Sequence, residues 1–446
     1  MPTVSLFSII KKTLVDASEI LTSKQKLKHF FSISLYRNAI YLLAFNLSVP
    51  ATGFIFWLLA ARFYAAEDVG VASAIIAATG LIAALSNVGF SSGLVRFLVH
   101  SGEKSNQMVN TSFTITGLAS IIISVIFLVG LSLWSPTLLF LRQNPIYFAA
   151  FIAFTVATTL ARMADWPFIA WRQTRFVFVR GIISGILRLP LVVLLAAFFH
   201  SFGIFASWGL SLVVAFPISV LFFLPRVQPG YRPLPLISRS VVSKLARFSF
   251  SVYISDLLWY LPSFILPIMV LNLLGAELNA YFYIAWSIGN LLFMVPLSIC
   301  TSLFAEGSYD EKKLASDTQR SFKLSFLILI IAGILIIAIA NKLLLIFGAS
   351  YSQNGTALLR LLTLSAFPLA LNYIYLSVKK VQKNLTAVIL VSVFISLVTL
   401  AVSYWLLPGM GIGGVGIAYL AGQGTATLGI VISFLLKKSA SIEKPE

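Results

Sequence analysis

Residues 35–97, LYRNAIYLLAFNLSVPATGFIFWLLAARFYAAEDVGVASAIIAATGLIAALSNVGFSSGLVRF, contain a basic approach, a long apolar run, a short Ala-Glu turn and a second apolar run. The same order returns without a gap at 245–307, LARFSFSVYISDLLWYLPSFILPIMVLNLLGAELNAYFYIAWSIGNLLFMVPLSICTSLFAEG. Leu35, Arg37, Leu47, Phe54, Ile55, Ala66, Glu67, Leu81 and Ser92 coincide with Leu245, Arg247, Leu257, Phe264, Ile265, Ala276, Glu277, Leu291 and Ser302. Nine identities in 63 positions are few, because apolar sequences match one another by chance, so the shared order of features carries the relation. Duplicated halves are a common way to build a site that faces either side of a membrane. The repeat therefore points to transport.

Outward from this stretch the chain stays apolar. Of its 446 residues 59% are hydrophobic and only 10% are charged, whereas about a quarter are charged in ordinary soluble proteins. Mean hydropathy is +0.97. Apolar runs near 39–62, 71–95, 111–134, 145–165, 177–199, 203–225, 249–274, 280–304, 324–347, 355–377, 385–407 and 412–436 each reach the length of about 20 residues that a membrane-crossing helix needs. Strands of a membrane barrel are half as long and alternate in polarity. We expect an all-α polytopic membrane protein with twelve spans.

The formal net charge of +18 is distributed by topology. With the N-terminus in the cytoplasm, 27 of the 32 Lys and Arg fall in the inside segments, and the outside connections receive only Arg62, Arg142 and Lys342. That is the positive-inside pattern; it places both termini in the cytoplasm and argues against a nucleic-acid partner. A single cysteine, Cys300, excludes an intrachain disulfide, and three scattered histidines form no metal cluster. We expect no metal and no cofactor. Val4–Ile10 is too short for a signal peptide and no basic residue precedes it. Residues 1–36 read either as a cytoplasmic segment resting on the membrane surface or as disordered chain.

The longest basic connection between spans is 226–248, with Pro229, Gly230, Pro233 and Pro235. It divides the chain into an N-lobe (37–225, spans 1–6) and a C-lobe (249–436, spans 7–12), with a cytoplasmic tail at 437–446. An even number of spans per lobe gives both repeats one orientation, so the pseudo-two-fold axis runs along the membrane normal. Pro50, Pro262, Pro267, Pro296 and Pro368 lie inside spans and are candidate kinks. Gly181-xxx-Gly185 in span 5, and Gly411, Gly413, Gly414 and Gly416 opening span 12, read as close helix contacts.

Charge inside the hydrocarbon is costly and faces a cavity or a partner. Arg188, Asp256 and Arg360 are the ionised residues read as lying well inside spans; Arg162 and Asp165, at i and i+3, read as a mutual ion pair. Helical spacing puts Tyr253, Trp259, Tyr260 and Ser263 on the side of Asp256. Its counterpart in the first half is Asn46; Asn87, Tyr283, Trp286 and Asn290 add similar groups. Aromatic faces, carboxamides and a carboxylate suit sugar rings and hydroxyls. The alternative is that these groups satisfy one another between helices. Arg188 and Arg360 suit a phosphate, or equally a salt bridge or carbonyl contact, and Arg360 can snorkel.

Ala61-Arg-Phe-Tyr-Ala-Ala-Glu-Asp-Val-Gly70, followed by Gly80-Leu-Ile-Ala-Ala-Leu, Asn87-Val-Gly89 and Leu94-Val-Arg-Phe97, resembles the polysaccharide biosynthesis flippases of the multidrug/oligosaccharidyl-lipid/polysaccharide superfamily, typified by O-antigen flippases. Gly275-Ala-Glu and Leu358-Leu-Arg-Leu-Leu resemble that family's second half, and the likeness covers roughly 35–436. The resemblance implies a V-shaped pair of six-helix lobes around a central cavity lined by spans 1, 2, 7 and 8. It also implies that a polyisoprenyl-pyrophosphate-linked oligosaccharide is turned over by alternating access. The family's cavity is often basic, whereas spans 1, 2, 7 and 8 here carry no Lys or Arg at mid-depth; Arg37, Arg96 and Arg247 at the inner mouth are the candidates for head-group capture. Lipid II flippases of the superfamily commonly have two further spans.

The expectation is a flippase of the cytoplasmic membrane for surface polysaccharide, whose partners are the lipid-linked oligosaccharide, membrane lipid and a glycan polymerase or transferase. Asn46, Asn87, Arg188, Tyr253, Asp256, Trp259, Trp286, Asn290 and Arg360 are its candidate substrate contacts, and Asp256 is the candidate for proton or cation coupling. A drug/cation antiporter of the same superfamily is the alternative, though the first lobe lacks the acidic cavity residues that would favour it. An embedded glycosyl- or phospho-transferase needs convergent carboxylates, which these spans do not supply, so an enzyme is not expected.

Overall fold

A bilayer core offers no hydrogen-bond partner to the backbone, so an apolar chain must satisfy its N–H and C=O groups internally, within helices or a closed barrel. In the computed structural model, which describes residues 34–442, every regular element is a helix. Twelve are long and apolar enough to cross a membrane. The first six are α1 (Ser34–Phe63), α2 (Ala66–Ser86), α3 (Ser105–Val129), α4 (Pro145–Ala170), α5 (Arg175–Leu194) and α6 (Ala196–Ile218). The second six are α7 (Arg239–Leu274), α8 (Ala276–Tyr309), α9 (Leu314–Leu345), α10 (Ala349–Val381), α11 (Leu385–Met410) and α12 (Ile412–Ile442).

Helix partners repeat between the halves. α1 packs on α5 as α7 packs on α11, and α4 lies against α3 and α6 as α10 lies against α9 and α12. The pairings define two six-helix lobes related by a pseudo-two-fold axis. Small residues set the closest approaches. A Cβ on Gly181 or Gly185 would fall 2.7 Å from Phe45 or Thr52 of α1, and one on Gly416 would fall 2.7 Å from Leu361 of α10. Gly413, by contrast, has nothing within 4 Å, and Gly411 turns the chain at φ +58°.

The helices break where proline does not predict it. α7 runs through Pro262 and Pro267, and α8 through Pro296. The run expected at 71–95 is instead interrupted at Val88 and Gly89, whose φ values are 45° and 82°. Asn87 Oδ1 accepts the Ser91 N–H at 3.1 Å and its Nδ2 donates to Ser91 Oγ at 3.0 Å, stabilising the start of a short helix at Phe90–Phe97. α6 breaks at Phe199 and His200. The connection expected over 226–248 is irregular only to Ser238, because α7 begins at Arg239.

Both lobes meet on α2. Its neighbours across the divide are α7 and α8, and its small residues permit the approach. A Cβ on Gly70 would lie 1.7 Å from the Ala276 carbonyl oxygen. Asn279, fully buried, donates from Nδ2 to Gly70 O at 2.7 Å and to Ser73 Oγ at 3.1 Å. Beside this seal Trp57 packs on Tyr283 at 4.7 Å, Phe54 on Phe347 at 5.2 Å, and Arg62 donates to Ile346 O at 2.5 Å. All of these lie toward the end of the bundle opposite the interlobe linker, the far end. Toward the linker end no hydrogen bond, ion pair or ring contact joins α1 to α8 among the described residues, and Asn46 and Leu291 are exposed.

The seal predicts a conformational shift. Asn279→Ala removes both bonds donated by Nδ2, about 0.5–1.5 kcal/mol each, so the population should move about tenfold toward a far-end-open state. Spin labels at Phe63 and Leu345 should then show a longer inter-lobe distance, which wild-type protein lacks; Gly70→Ala should do the same by steric overlap.

Candidate functional site: the space between the lobes

On the N-lobe side the linker-end half of α4 carries Arg162 and Asp165. The expected Arg162–Asp165 pair does not form. Arg180 of α5 takes the carboxylate in a two-point grip, Nε to Oδ1 at 2.7 Å and Nη2 to Oδ2 at 2.6 Å, with both side chains largely buried. Guanidinium and carboxylate match best in this parallel geometry, which the i, i+3 partner on the same helix does not provide. Arg162 is thereby left exposed, with no hydrogen bond or ion pair among the described residues. It lies within electrostatic reach of Tyr260 on the opposite lobe, and so faces the interlobe space. Eight residues separate it from the end of α4, about 12 Å along the helix.

On the C-lobe side α7 presents Asp256, Trp259 and Tyr260. Asp256 Oδ1 receives Lys380 Nζ of α10 at 3.4 Å. Lys380, expected in a connection, belongs to the last turn of α10, so Asp256 sits near the linker end and in an ion pair rather than alone at depth. Trp259 Nε1 donates to Tyr373 Oη at 2.9 Å with ring centroids 4.7 Å apart, and Tyr260 stands beside Tyr373. Behind them Asn372 Nδ2 donates to Gln423 Oε1 at 2.7 Å and Asn372 Oδ1 accepts from Thr427 at 3.0 Å. Among the described residues Arg162 and Lys380 border the space as cations, with the buried Asp165–Arg180 pair behind the first and Asp256 bound to the second. The walls therefore join a cationic margin to a rigid aromatic row.

Other expected contacts lie elsewhere. Arg188 is 4% exposed inside the N-lobe, its guanidinium 4.3 Å over the Trp208 ring and 6.0 Å from Phe56, with Nε donating to Ser184 O at 3.3 Å. A cation stacked on aromatics beneath α1 does not meet a ligand in this state. Trp286 is 3% exposed, packed among Phe282, Phe293 and Tyr419 in the C-lobe core. Asn290 donates to the Trp286 carbonyl one turn back at 3.0 Å. Asn87 holds the break in α2, and Tyr253 Oη donates to Leu85 O at 3.0 Å, joining the lobes. The carbonyl at Leu85 lacks a helical partner because α2 ends there. Arg360 donates to the Ile337 carbonyl of α9 at 3.3 Å, the carbonyl contact that was one of its readings. Arg96 is exposed, 5.7 Å from the Phe97 ring centroid. The side chains of Arg37 and Arg247 lie outside the described residues.

Sequence reading missed Lys380, Tyr373, Asn372 and Gln423. Asn372 and Gln423 were legible as polar residues in apolar runs; their pairing across α10 and α12 was not.

Twelve helices in two pseudo-symmetric lobes, with a charged and aromatic space between them, define a polytopic membrane protein of the carrier type. The profile of the family described as polysaccharide biosynthesis protein matches residues 35–305, and the chain belongs to that family. A MatE profile matches residues 252–405. No curated protein matches the chain in sequence. Among solved structures, an inward-facing multidrug resistance MATE family transporter of the MOP superfamily is 15% identical with TM-score 0.68, covering 90% of this chain and 96% of its own. The lipid II flippase MurJ in an inward closed conformation is 13% identical with TM-score 0.69, covering 89% of this chain and 87% of its own. An outward-facing MATE transporter is 17% identical with TM-score 0.61, covering 91% of this chain and 97% of its own. These likenesses establish the V-shaped two-lobed fold, and with the family they place the chain among MOP superfamily transporters and flippases.

The two arginines of the site should separate stability from function. Arg180→Gln strands the Asp165 carboxylate, a loss of about 3–5 kcal/mol, so thermal unfolding in detergent should start markedly earlier. Arg162→Gln breaks no bond and should leave the unfolding midpoint unchanged, within about 0.5 kcal/mol.

Proposed function

We propose that this protein is a flippase that turns a polyisoprenyl-(pyro)phosphate-linked oligosaccharide across the cytoplasmic membrane during surface polysaccharide assembly, acting as a carrier without catalysis. Family membership supports the polysaccharide setting. The observation that carries the reading is Arg162, an exposed guanidinium that has no hydrogen bond or ion pair among the described residues and faces Tyr260 across the interlobe space. Asp165, the carboxylate near Arg162, is already gripped by Arg180, and a phosphate oxygen pair would match the remaining guanidinium donors in geometry. Trp259, Tyr260 and Tyr373 offer rigid faces and hydroxyls for sugar, while the lipid tail stays in the bilayer beside α1 and α8. The excess of Lys and Arg supports a cytoplasmic linker end, so the head group would enter from that end, on the side where no hydrogen bond, ion pair or ring contact joins α1 to α8 among the described residues.

Asp256 enters the cycle as the partner of Lys380. A phosphate drawn to Lys380 competes with the carboxylate, and the released carboxylate is then free to take a proton or cation. Asp256→Asn should abolish any dependence of export on ion gradients; unchanged dependence would remove the coupling idea.

The test of the main reading is complementation of a deletion strain. Cells without the protein should accumulate one lipid-linked oligosaccharide on the cytoplasmic leaflet, and wild type should clear it. Arg162→Gln, folded as above, should clear it about tenfold more slowly, the loss expected when a charge-assisted bond of about 1.5–3 kcal/mol is removed. The MatE match to residues 252–405 favours a second reading, an ion-coupled drug/cation antiporter; in that case the deletion leaves glycan lipids unchanged and sensitises cells to cationic dyes. Glycan polymerase or transferase partners follow only from the first reading.

A further inference from the structure

The interlobe linker is unusual for a connection that faces water. After α6 continues through a π-turn at Ser219–Phe223 to Val227, the backbone runs extended to α7. It is held along one face of α3. Asn106 Nδ2 donates to Gly230 O at 3.3 Å, Asn110 Nδ2 to Arg232 O at 2.8 Å, and Thr114 Oγ1 accepts the Leu236 N–H at 3.0 Å. Positions 106, 110 and 114 are successive turns of one helix stripe, so the linker descends α3 by about 12 Å toward the bilayer. Tyr231 locks the upper part: its ring is buried and its hydroxyl donates to Asn110 Oδ1 at 2.8 Å. Burial pushes that hydroxyl's pKa well above its ordinary value, which keeps the donor protonated.

Three observations say what the outer face of this strap meets. Leu234, Leu236 and Ile237 are 61%, 39% and 54% exposed, a cluster of apolar side chains on what should be an aqueous loop. Part of the backbone's polarity is removed or met, since Pro233 and Pro235 have no N–H and that of Leu236 is taken by Thr114. The N–H groups of Leu234 and Ile237 have no partner among the described residues, which suits the hydrated headgroup boundary rather than the hydrocarbon itself. The charge is wholly basic, with Arg226, Arg232 and Arg239 in or flanking the strap and no acidic residue between Asp165 and Asp256.

We propose that residues 232–239 form an interfacial strap that seats Leu234, Leu236 and Ile237 at the headgroup–acyl boundary and gathers anionic lipid through Arg232 and Arg239. The apolar side chains supply depth, and the arginines supply preference for negative headgroups. The strap is thus anchored to the N-lobe by α3 and to the lipid by its outer face, and only its continuation into α7 follows the C-lobe. The inference does not depend on which molecule the protein carries.

The test uses the full chain in nanodiscs, with an environment-sensitive fluorophore on Leu236→Cys in a Cys300→Ala background and a Lys312→Cys control. Label at 236 should emit in the blue and be quenched by lipids brominated high on the acyl chain, while label at 312 should be quenched only by aqueous iodide. Quenching by brominated phosphatidylglycerol should exceed that by brominated phosphatidylcholine. Arg232→Gln and Arg239→Gln should reduce this excess by about fivefold each. Iodide quenching at 236, or protection from both quenchers because protein such as residues 1–33 covers the strap, would overturn lipid seating. A phosphatidylglycerol excess untouched by loss of both arginines would overturn anionic selection. If Leu236→Cys expresses poorly, Leu234→Cys reads the same surface.

Discussion

The structure depends on how closely α2 can be approached from two sides. Within a bilayer lipid tails are as apolar as leucine, so helices do not associate to escape water; they associate where backbones come near enough for dense packing and for buried hydrogen bonds. α2 supplies both, with Gly70, Ala72, Ser73, Ala74, Ala77 and Ala78 on a helix mostly buried between lobes. Gly70 lets α8 pass with no room for even a methyl group, and Asn279 fastens the crossing. The other lobe contacts at the far end, Trp57 on Tyr283 and Arg62 on the Ile346 carbonyl, rest on that crossing.

The lobes are joined again toward the linker end, where Val241 and Leu245 of α7 pack with Phe90 and Leu94 and Tyr253 bonds the Leu85 carbonyl; polarity concentrates between these two junctions. The N-lobe places a tightly paired Asp165–Arg180 beside Arg162, and the C-lobe places Asp256–Lys380 beside Trp259, Tyr260 and Tyr373. Among the described residues each lobe turns one of its ion pairs toward the space, to which the N-lobe adds the cation Arg162 and the C-lobe an aromatic row. A two-fold frame supplies movement; its unequal walls supply chemistry. The opening repeat already contained this inequality, since Asn46 occupies the position of Asp256.

Much of the architecture was legible because the bilayer imposes length and charge rules that act on sequence directly. Twelve spans and the two-lobed repeat follow from run lengths and from residues 35–97 returning at 245–307. The helix breaks were less legible. Prolines attract the prediction, yet at Pro262 Ser396 of α11 donates to the freed Leu258 carbonyl and the helix continues, and the chain breaks instead where Asn87 offers a competing hydrogen-bond pattern to Ser91. Trp286 and Arg188 looked like cavity residues because an aromatic or a cation in an apolar helix looks the same whether it faces a cavity or a neighbouring helix; three-dimensional packing put both in the interior.

The sequence by itself determined that this chain crosses a membrane twelve times, that its halves are copies, and which family it resembles, because hydropathy length, charge asymmetry and repeat order are local or one-dimensional properties. Only the tertiary structure decided who pairs with whom. Asp165 chose Arg180 over the nearer Arg162, Lys380 reached Asp256, and an extended linker laid itself along Asn106, Asn110 and Thr114. Those choices depend on side-chain geometry between helices distant in sequence, which no spacing rule encodes.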